Sequence, residues 1–427
     1  MASTTEGPPT VLEPFLSARS DVAERAQELA LAAPAATPGT TNEQLREMFQ
    51  RHASAPAIAV VEGGRPVGLV NRRTFMESYA RPFAHDLWGR KSCEAFMDRR
   101  ALVVDAAVSI AELARRASDG ASRALEDGFI VTDQGHYLGL GSGPALVRAL
   151  SALEAARAHQ IEQSIAYASV IQRSMLSTSH AELHATLPDH ALLWEPRDVV
   201  GGDCYWFRRT EGGLKGAVLD CTGHGVPGAF MTVIALAALE QAFSDPASEE
   251  DPGLVLGRMS RAIKARLHQD MPGKAIPSPE RAGGSDDGLD GVCFFLPAAG
   301  RELRLASAHF PVLLLDAGAP APTLLGSERA SVGYAETDLD QVWSTQRVAL
   351  EPETLVVMAT DGCTDQIGGP KRIAFGRGRM AALLSRQRGL GAAAFAAAFR
   401  AEHERWRGEE ARRDDMMMLT FTTGGRS

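Results

Sequence analysis

The stretch GAVLDCTGHGVPGAF, residues 216–230, decides how we interpret the chain. Its apolar residues 217–219 predict a strand that ends in Asp220, and the apolar run after Pro227 predicts a buried helix. Glycines between the two allow a tight turn. A carboxylate at the end of a buried strand stands on a rigid support, which a functional group requires. Asp220 is therefore the first candidate site residue.

Three more carboxylates stand beside apolar strands. Asp203 follows two glycines in the motif VVGGD, Asp361 follows the apolar residues 355–358, and Asp414 precedes the closing apolar residues 416–421. A single Asp at such a place is usually only a turn residue. Four of them in one chain point to a shared site.

Several carboxylates in one site predict a bound cation, because buried carboxylates repel one another unless a cation lies among them. Oxygen ligands without convergent His or Cys suit Mg²⁺ or Mn²⁺ better than Zn²⁺. A carboxylate that bridges two such ions, about 3.5–4 Å apart, allows water to attack a phosphoryl group. The chemistry that this pattern favours is therefore phosphate ester hydrolysis.

From residue 179 to the C-terminus the motifs occur in the order and spacing of a known family. Asp203 in VVGGD, Asp220 in DCTGHGVPGA, Asp361 in TDG and Asp414 in DDMMMLTF resemble the motifs of the metal-dependent serine/threonine phosphatases. The bacterial stage II sporulation protein E type is the most similar branch. The resemblance implies an α-β-β-α sandwich of two mostly antiparallel sheets.

The resemblance also implies two Mn²⁺ or Mg²⁺ ions and a set of catalytic aspartates. Asp220 would bridge both ions, and the backbone carbonyl of Cys221 would bind one of them. Asp203 would bind that same ion directly or through water, and Asp361 and Asp414 would hold the other. Activated water would then hydrolyse phosphoserine or phosphothreonine without a phosphoenzyme.

Three positions depart from the family pattern. Trp206 stands where an acidic residue is common, residues 307–311 (SAHFP) replace the usual Asn-Ala-Gly-His before a Pro, and Cys221 replaces a frequent Gly. A carbonyl ligand tolerates any side chain at Cys221, and His309 within SAHFP reads as structural. None of these changes removes an expected ligand, so we expect an enzyme.

Candidate substrate contacts are Arg197, His224 and Arg377. Each has an ordinary alternative, because His224 also suits loop packing and the basic segment 371–388 around Arg377 also suits a solvated helix face. Asp290 directly precedes an apolar strand and allows a third metal, or simply a solvated acidic loop.

Residues 1–144 form a separate α/β region with a weak internal repeat. Two hairpin patterns align at an offset of 71 residues, which places Val60 on Val131 and Gly64 on Gly135. This region resembles a tandem pair of CBS modules, which often sense adenine nucleotides. The Asp that usually follows the second strand is missing from both repeats, so a structural or dimerising domain is the favoured alternative to nucleotide binding.

Residues 145–178 predict a long helical linker, since no Gly or Pro occurs between Ala145 and Leu176. One apolar stripe has helical spacing: Ile161, Ile165, Ala168, Ile171 and Met175. The stripe suits either packing on its own domain or a coiled coil that dimerises the chain, and we favour the homodimer.

Composition excludes several classes of protein. With 44 Lys and Arg against 53 Asp and Glu, the net charge of −9 makes nucleic acid an unfavourable partner. Five cysteines without CxxC spacing argue against a disulfide framework or thiolate zinc site. The start of the sequence does not resemble a signal peptide, and residues 226–239 are too few to span a membrane, so we expect a cytoplasmic protein.

The sequence as a whole predicts an α+β protein whose residues 179–427 form a phosphatase domain regulated by its N-terminal region. The resemblance implies a phosphorylated partner protein as substrate, in partner-switching signalling. Two alternatives remain open: a catalytically inactive scaffold that binds phosphoproteins, and a regulator whose main function is nucleotide sensing.

Overall fold

The computed structural model describes residues 22–119, 122–248, 250–270 and 286–422. The chain divides into two compact units, Met1–Glu162 and Gln163–Ser427. Each unit is described by itself below.

The first unit contains two three-stranded sheets and short helices. Its strands are β1 (Ala35–Ala36), β2 (Ala57–Glu62), β3 (Arg65–Asn71), β4 (Val103–Asp105), β5 (Phe129–Asp133) and β6 (His136–Gly141). Its helices are α1 (Asn42–Arg51), α2 (Arg72–Tyr79), α3 (Ala84–Trp88), α4 (Ile110–Ala117) and α5 (Ala124–Asp127), with 3-10 turns at Ala26–Leu29 and Cys93–Phe96. In each sheet a short strand pairs in parallel with the first strand of an antiparallel hairpin.

The two hairpins confirm the internal repeat. β3 and β6 begin at equivalent positions of the repeat, and the pairing register shifts after Val60 in one hairpin and after Val131 in the other. The turn residues Gly64 and Gly135 have positive φ values of 80° and 82°, which a side chain would strain. The similarity to CBS modules stays a prediction.

Helix α6 (Gly143–Thr186) is longer than predicted, since it continues past residue 178. Residues 179–186 contain no Gly or Pro that would end the helix, and Leu183 lies on its buried side. Pro188 then prevents the helix from continuing.

The second unit contains two antiparallel five-stranded sheets. The first sheet has the order β14 (Gln346–Ala349), β11 (Glu302–Ala308), β10 (Leu289–Pro297), β9 (Gly213–Cys221) and β8 (Asp203–Thr210). The second has the order β13 (Thr323–Leu325), β12 (Val312–Leu315), β15 (Leu355–Ala359), β18 (Met416–Thr422) and β7 (His190–Glu195). A small ribbon pairs β16 (Ile367–Gly368) with β17 (Ile373–Ala374).

Helices cover the outer faces of both sheets. α7 (Gly225–Phe243) and α8 (Pro252–Leu267) pack on the first sheet, where Trp206 stacks on Phe243 with ring centroids 5.0 Å apart. α10 (Gly376–Arg386) and α11 (Ala392–Arg407) pack on the second, which the short helix α9 (Gly362–Asp365) also contacts. A 3-10 turn at Pro246–Ser248 precedes α8.

The inner faces of the two sheets share one apolar core. Phe294 of the first sheet and Phe421 of the second stack with centroids 6.1 Å apart. The layers therefore run helix, sheet, sheet, helix, which is the arrangement that the sequence predicted for this region. The fold class is mixed α+β.

α7 is the one helix of the described residues that is long and apolar enough to cross a membrane. Half of its most apolar window is buried, and it packs against α8 and the first sheet. A core helix has the same properties, so α7 is weak evidence for a membrane.

Candidate metal centre and active site

Three carboxylates form a row across three neighbouring strands of the first sheet. Asp203 of β8 lies directly opposite Asp220 of β9, and Asp220 lies directly opposite Asp290 of β10. Residues directly opposite one another point to the same face of a sheet, and like charges placed there destabilise it. The fold tolerates this row only where function or a cation compensates.

The second sheet brings two more carboxylates to the cluster. Asp361 follows the end of β15 and Asp414 precedes β18, its antiparallel neighbour, so both lie at the same edge. Both carboxylates act electrostatically on Asp220 of the first sheet. The structure thus brings together all four aspartates that the sequence singled out, and adds Asp290.

Burial and mutual repulsion raise the pKa values of these groups. The pKa of Asp203, whose side chain is 1% exposed, rises well above its usual range, first because of burial and then because of Asp220 and Asp415. The pKa of Asp220 rises likewise through burial and then through Asp361, Asp414 and Asp290. Without a cation, the cluster therefore favours bound protons.

The pKa of Asp361 is raised as well. Burial, followed by the negative charges of Asp414, Asp365 and Asp290, raises its pKa to about 6. Arg413 opposes this shift only in part.

The carboxylate oxygens of the cluster suit hard divalent cations, although these side chains alone do not form a complete metal site. Among the described residues, no three His, Cys, Asp or Glu side chains surround one point closely enough to hold an ion. Mg²⁺ commonly keeps several waters and uses only one or two carboxylates. The backbone carbonyl of Cys221 lies near this loop, because a Cβ on Gly202 would meet it at 2.7 Å.

Thr360, a residue that the sequence did not single out, fixes the side chain of Asp203. The hydroxyl of Thr360 donates to Asp203 Oδ2 at 2.8 Å and accepts from the backbone N–H of Met417 at 3.0 Å. The indole of Trp194 donates to the backbone carbonyl of Asp203 at 2.9 Å. Since Thr360 directly precedes Asp361, its position beside a predicted ligand was the available signal.

Asp415, the neighbour of Asp414, connects the two sheets. Its carboxylate accepts from the backbone N–H groups of Arg197 and Gly202, both at 2.6 Å. The close contact explains why Gly201 carries no side chain, because a Cβ there would lie 2.7 Å from Asp415 Oδ1. Asp415 therefore holds the VVGGD loop against the second sheet.

The candidate substrate contacts separate into two groups. Arg377 is exposed on the first turn of α10 and lines one cavity with Asp220 and Asp361. His224 instead pairs with Asp198 at 2.8 Å, and the guanidinium of Arg197 donates to the carbonyl of Arg413. Neither lines that cavity.

His309 lies at the mouth of the same cavity and contacts Asp290. Its Nδ1 is 2.8 Å from Asp290 Oδ2, while Asp290 Oδ1 is buried without a hydrogen-bond partner among the described residues. The backbone of His309 has a φ of 49°, which costs free energy for any residue except glycine. The departure at SAHFP therefore places an imidazole beside the acid cluster.

Both thiols that adjoin proposed ligands face the core, as alternation along a strand predicts. Cys204 and Cys221 are 0% and 3% exposed. A hydrogen bond with Cys204, together with burial, raises the pKa of the Cys221 thiol.

One of the similar solved structures, the SiaA-PP2C domain, supports the interpretation of the fold. The SiaA-PP2C domain of Pseudomonas aeruginosa is 33% identical over 63% of this chain and 99% of that chain, with a TM-score of 0.54. The PP2C phosphatase domain and regulatory fragment of SpoIIE from Bacillus subtilis is 15% identical over 56% of this chain and 64% of that chain, with a TM-score of 0.41. A PPM Ser-Thr phosphatase from Mycobacterium smegmatis, in complex with cacodylate, is 10% identical over 56% of this chain and all of that chain, with a TM-score of 0.38.

Sequence comparison gives the family. A search of curated proteins finds no match. The family model of stage II sporulation protein E matches residues 210–424, which is half of the chain. The family resemblance of the motifs is thereby confirmed, and the chain belongs to the stage II sporulation protein E family of PP2C-type serine/threonine phosphatases.

Proposed function

We propose that this protein is a metal-dependent phosphatase that hydrolyses phosphoserine or phosphothreonine on a partner signalling protein. The observation that carries the proposal is the meeting of Asp203, Asp220, Asp361 and Asp414 at one end of the two sheets. Mn²⁺ or Mg²⁺ ions, when bound there, would lower the pKa of water and neutralise charge on the phosphoryl group. Membership of the family supports the same activity.

Residues of this chain would hold the cations in position and neutralise the charge of the phosphate. Asp203 and Asp220 would hold the cations, and Asp361, Asp414 and the Cys221 carbonyl would complete the set. Arg377 would pair with the phosphate, since this residue lines the cavity with Asp220 and Asp361. Thr360 fixes the rotamer of Asp203 and so preorganises the site.

The direct test is phosphate release from a phosphoserine protein with added Mn²⁺. We expect release by the full chain and its loss in Asp220→Ala, with Asp340→Ala as control because Asp340 is exposed and outside the cluster. Equal release by Asp220→Ala and the unaltered chain would refute the assignment. Binding of the phosphoprotein without any release would favour the alternative, an inactive scaffold.

We further propose that α6 regulates the site and joins two copies of the chain. The amide of Gln172 donates to the carbonyl of Gly201 at 2.8 Å and accepts from its N–H at 3.3 Å. Gly201 belongs to the loop that carries Asp203. A shift of α6 would therefore move a proposed metal ligand.

The dimer proposal rests on an uncovered apolar face of α6. Ile171 and Met175 of the predicted stripe are 47% and 43% exposed, while Gln172 and Leu176 face the phosphatase core. A second copy of the helix would cover the exposed face. We expect a dimer by light scattering that Ile171→Glu converts to monomer and Arg173→Glu does not; a monomeric unaltered chain would refute it.

Adenine nucleotide binding to the first unit remains a proposal with one supporting feature. A cavity of about 200 Å³ lies between the two repeats and is lined by Arg100, Arg123, Asp127 and Asn71. Asn71 donates to Asp127 at 2.8 Å. Calorimetric titration of the full chain with ATP, ADP and AMP tests this proposal. If none of the three nucleotides produces heat of binding, this unit has a structural role.

A further inference from the structure

The cavity at the acid cluster extends well beyond the carboxylates. It has a volume of about 460 Å³, within the range of about 300–1,000 Å³ that is usual for ligand sites. Asp220, Asp290 and Asp361 line one part. The rest is mostly apolar, so the cavity has two chemically different ends.

Strand pairing explains the apolar end. Leu324 of β13 lies opposite Leu313 of β12, which lies opposite Val357 of β15, so the three side chains form a row on one face of the second sheet. Met380 of α10 lines the cavity beside this row. Leu324 is 54% exposed, while Val357 and Met380 are buried. The row thus runs from the core to an open apolar surface.

Phosphate hydrolysis itself makes no use of this apolar row. A phosphoryl group gains nothing from contact with Leu or Val, whereas an apolar side chain gains free energy when it leaves water. Arg377 is exposed and lines the same cavity as the row and the carboxylates. The combination fits a segment that carries a phosphate and, close to it in sequence, a large apolar side chain.

We propose that the Leu324–Leu313–Val357 row is a specificity subsite for a Leu, Ile, Met or Phe near the phosphorylated residue of the substrate protein. The inference rests on the proposed phosphatase function and names the substrate class that this site selects. The carboxylate end would take the phosphorylated side chain, Arg377 would neutralise the phosphate, and the row would bury the apolar neighbour.

The experiment compares a small substrate with matched phosphopeptides, using the full chain and Mn²⁺. p-Nitrophenyl phosphate reports hydrolysis without a neighbouring side chain. Phosphoserine peptides that carry either Leu or Gly at each of the positions from −3 to +3 report the subsite. We expect kcat/KM for the Leu peptide to exceed that for the Gly peptide about ten- to hundredfold at one position, as burial of one such side chain allows.

Two variants change the subsite, and each has a matched control. Leu324→Ser removes the open part of the row, and Leu390→Ser alters a Leu of similar exposure, 46%, that does not line the cavity. Gly378→Leu adds a large side chain at a residue that lines the cavity, where a Cβ meets no atom within 4 Å, and Gly318→Leu adds one at an equally open residue that does not line it. We expect the Leu-to-Gly ratio to fall at least threefold in Leu324→Ser and to about one in Gly378→Leu, with both controls unchanged.

The outcomes separate the two proposals. Hydrolysis of all substrates without preference for an apolar neighbour, or a preference that Gly378→Leu leaves intact, would overturn the subsite while the phosphatase stands. Refusal of p-nitrophenyl phosphate and every phosphopeptide would overturn the phosphatase and the subsite with it.

Discussion

At the scale of single residues, the acid cluster opposes folding, yet the fold holds its side chains in position. Asp203 is almost fully buried and faces Asp220 across the sheet, which costs stability in the absence of cations. Thr360 and Trp194 nevertheless hold it in place with hydrogen bonds. Residues that oppose folding yet are held in a fixed position are expected at functional sites.

We predict that Asp203→Asn stabilises the metal-free protein. Removal of one buried carboxyl group from the cluster should raise the free energy of unfolding by about 1 kcal/mol and Tm by about 2–4 °C at pH 7.5 in EDTA. Mn²⁺ should raise Tm of the unaltered protein and leave that of the variant nearly unchanged. Thermal melts of both, with Asp340→Asn as control, measure this; a lower Tm for Asp203→Asn in EDTA would contradict it.

Stability of the metal-free protein should also depend on pH. The pKa of Asp361 is about 6 in the folded protein against an ordinary 3.8, so the folded state holds its proton more tightly than the unfolded state does. Its stabilising contribution is complete below about pH 3.8 and is lost as pH rises through about 6. Asp203 and Asp220 act in the same direction.

We therefore expect Tm in EDTA to be higher at pH 5 than at pH 7.5, and the difference to shrink in Asp361→Asn. Differential scanning calorimetry at both pH values gives the comparison. A protein that is less stable at pH 5, or a difference that Asp361→Asn does not alter, would show that the carboxylates are not coupled as described.

The sequence was sufficient to identify the candidate metal ligands but not the residues that hold them in position. Asp203, Asp220, Asp361 and Asp414 each stand beside an apolar strand, so a local pattern located them. Thr360 acts on Asp203 across 157 residues, and such a pairing depends on strand register that a single sequence does not specify. For the same reason the sequence does not reveal that His309 contacts Asp290.

At the scale of elements, α6 has two different faces. The predicted stripe with Ile171 is exposed, whereas the face that packs on the phosphatase core is partly polar, with Gln172 and Ser179 buried. Ser179 hydrogen-bonds the backbone of Phe207 in β8, the strand that begins with Asp203. Apolar periodicity predicted the helix but not which face would contact the domain, because that face combines the buried Leu176 and Leu183 with polar residues that hydrogen-bond.

Gln172→Ala should weaken Mn²⁺ binding although it changes none of the proposed metal ligands. The change leaves both backbone groups of Gly201 without this partner, at a cost of about 1–3 kcal/mol, and loosens the loop before Asp203. We expect the Mn²⁺ concentration for half-maximal phosphatase activity to rise about tenfold, while Arg173→Ala, exposed in the same turn, has little effect. An unchanged Mn²⁺ requirement would show that α6 does not influence the metal centre.

At the scale of the whole molecule, one continuous helix belongs to both compact units. The division between Glu162 and Gln163 falls within α6, whose bounds are Gly143 and Thr186. The sequence predicted a helix between an N-terminal repeat and a C-terminal sandwich, and both architectures are present. The two repeats of the first unit lack the Asp that usually follows the second strand of a CBS module, so their sequence indicates no particular ligand.

Calorimetric titration of the full chain with Mn²⁺ tests the central claim most directly, because it does not depend on the substrate. We predict saturable binding of about two ions per chain, as in two-metal phosphoryl-transfer sites, and its loss in Asp220→Asn but not in Asp340→Asn. Absence of Mn²⁺ binding, or equal binding by Asp220→Asn, would contradict a metal centre at these aspartates.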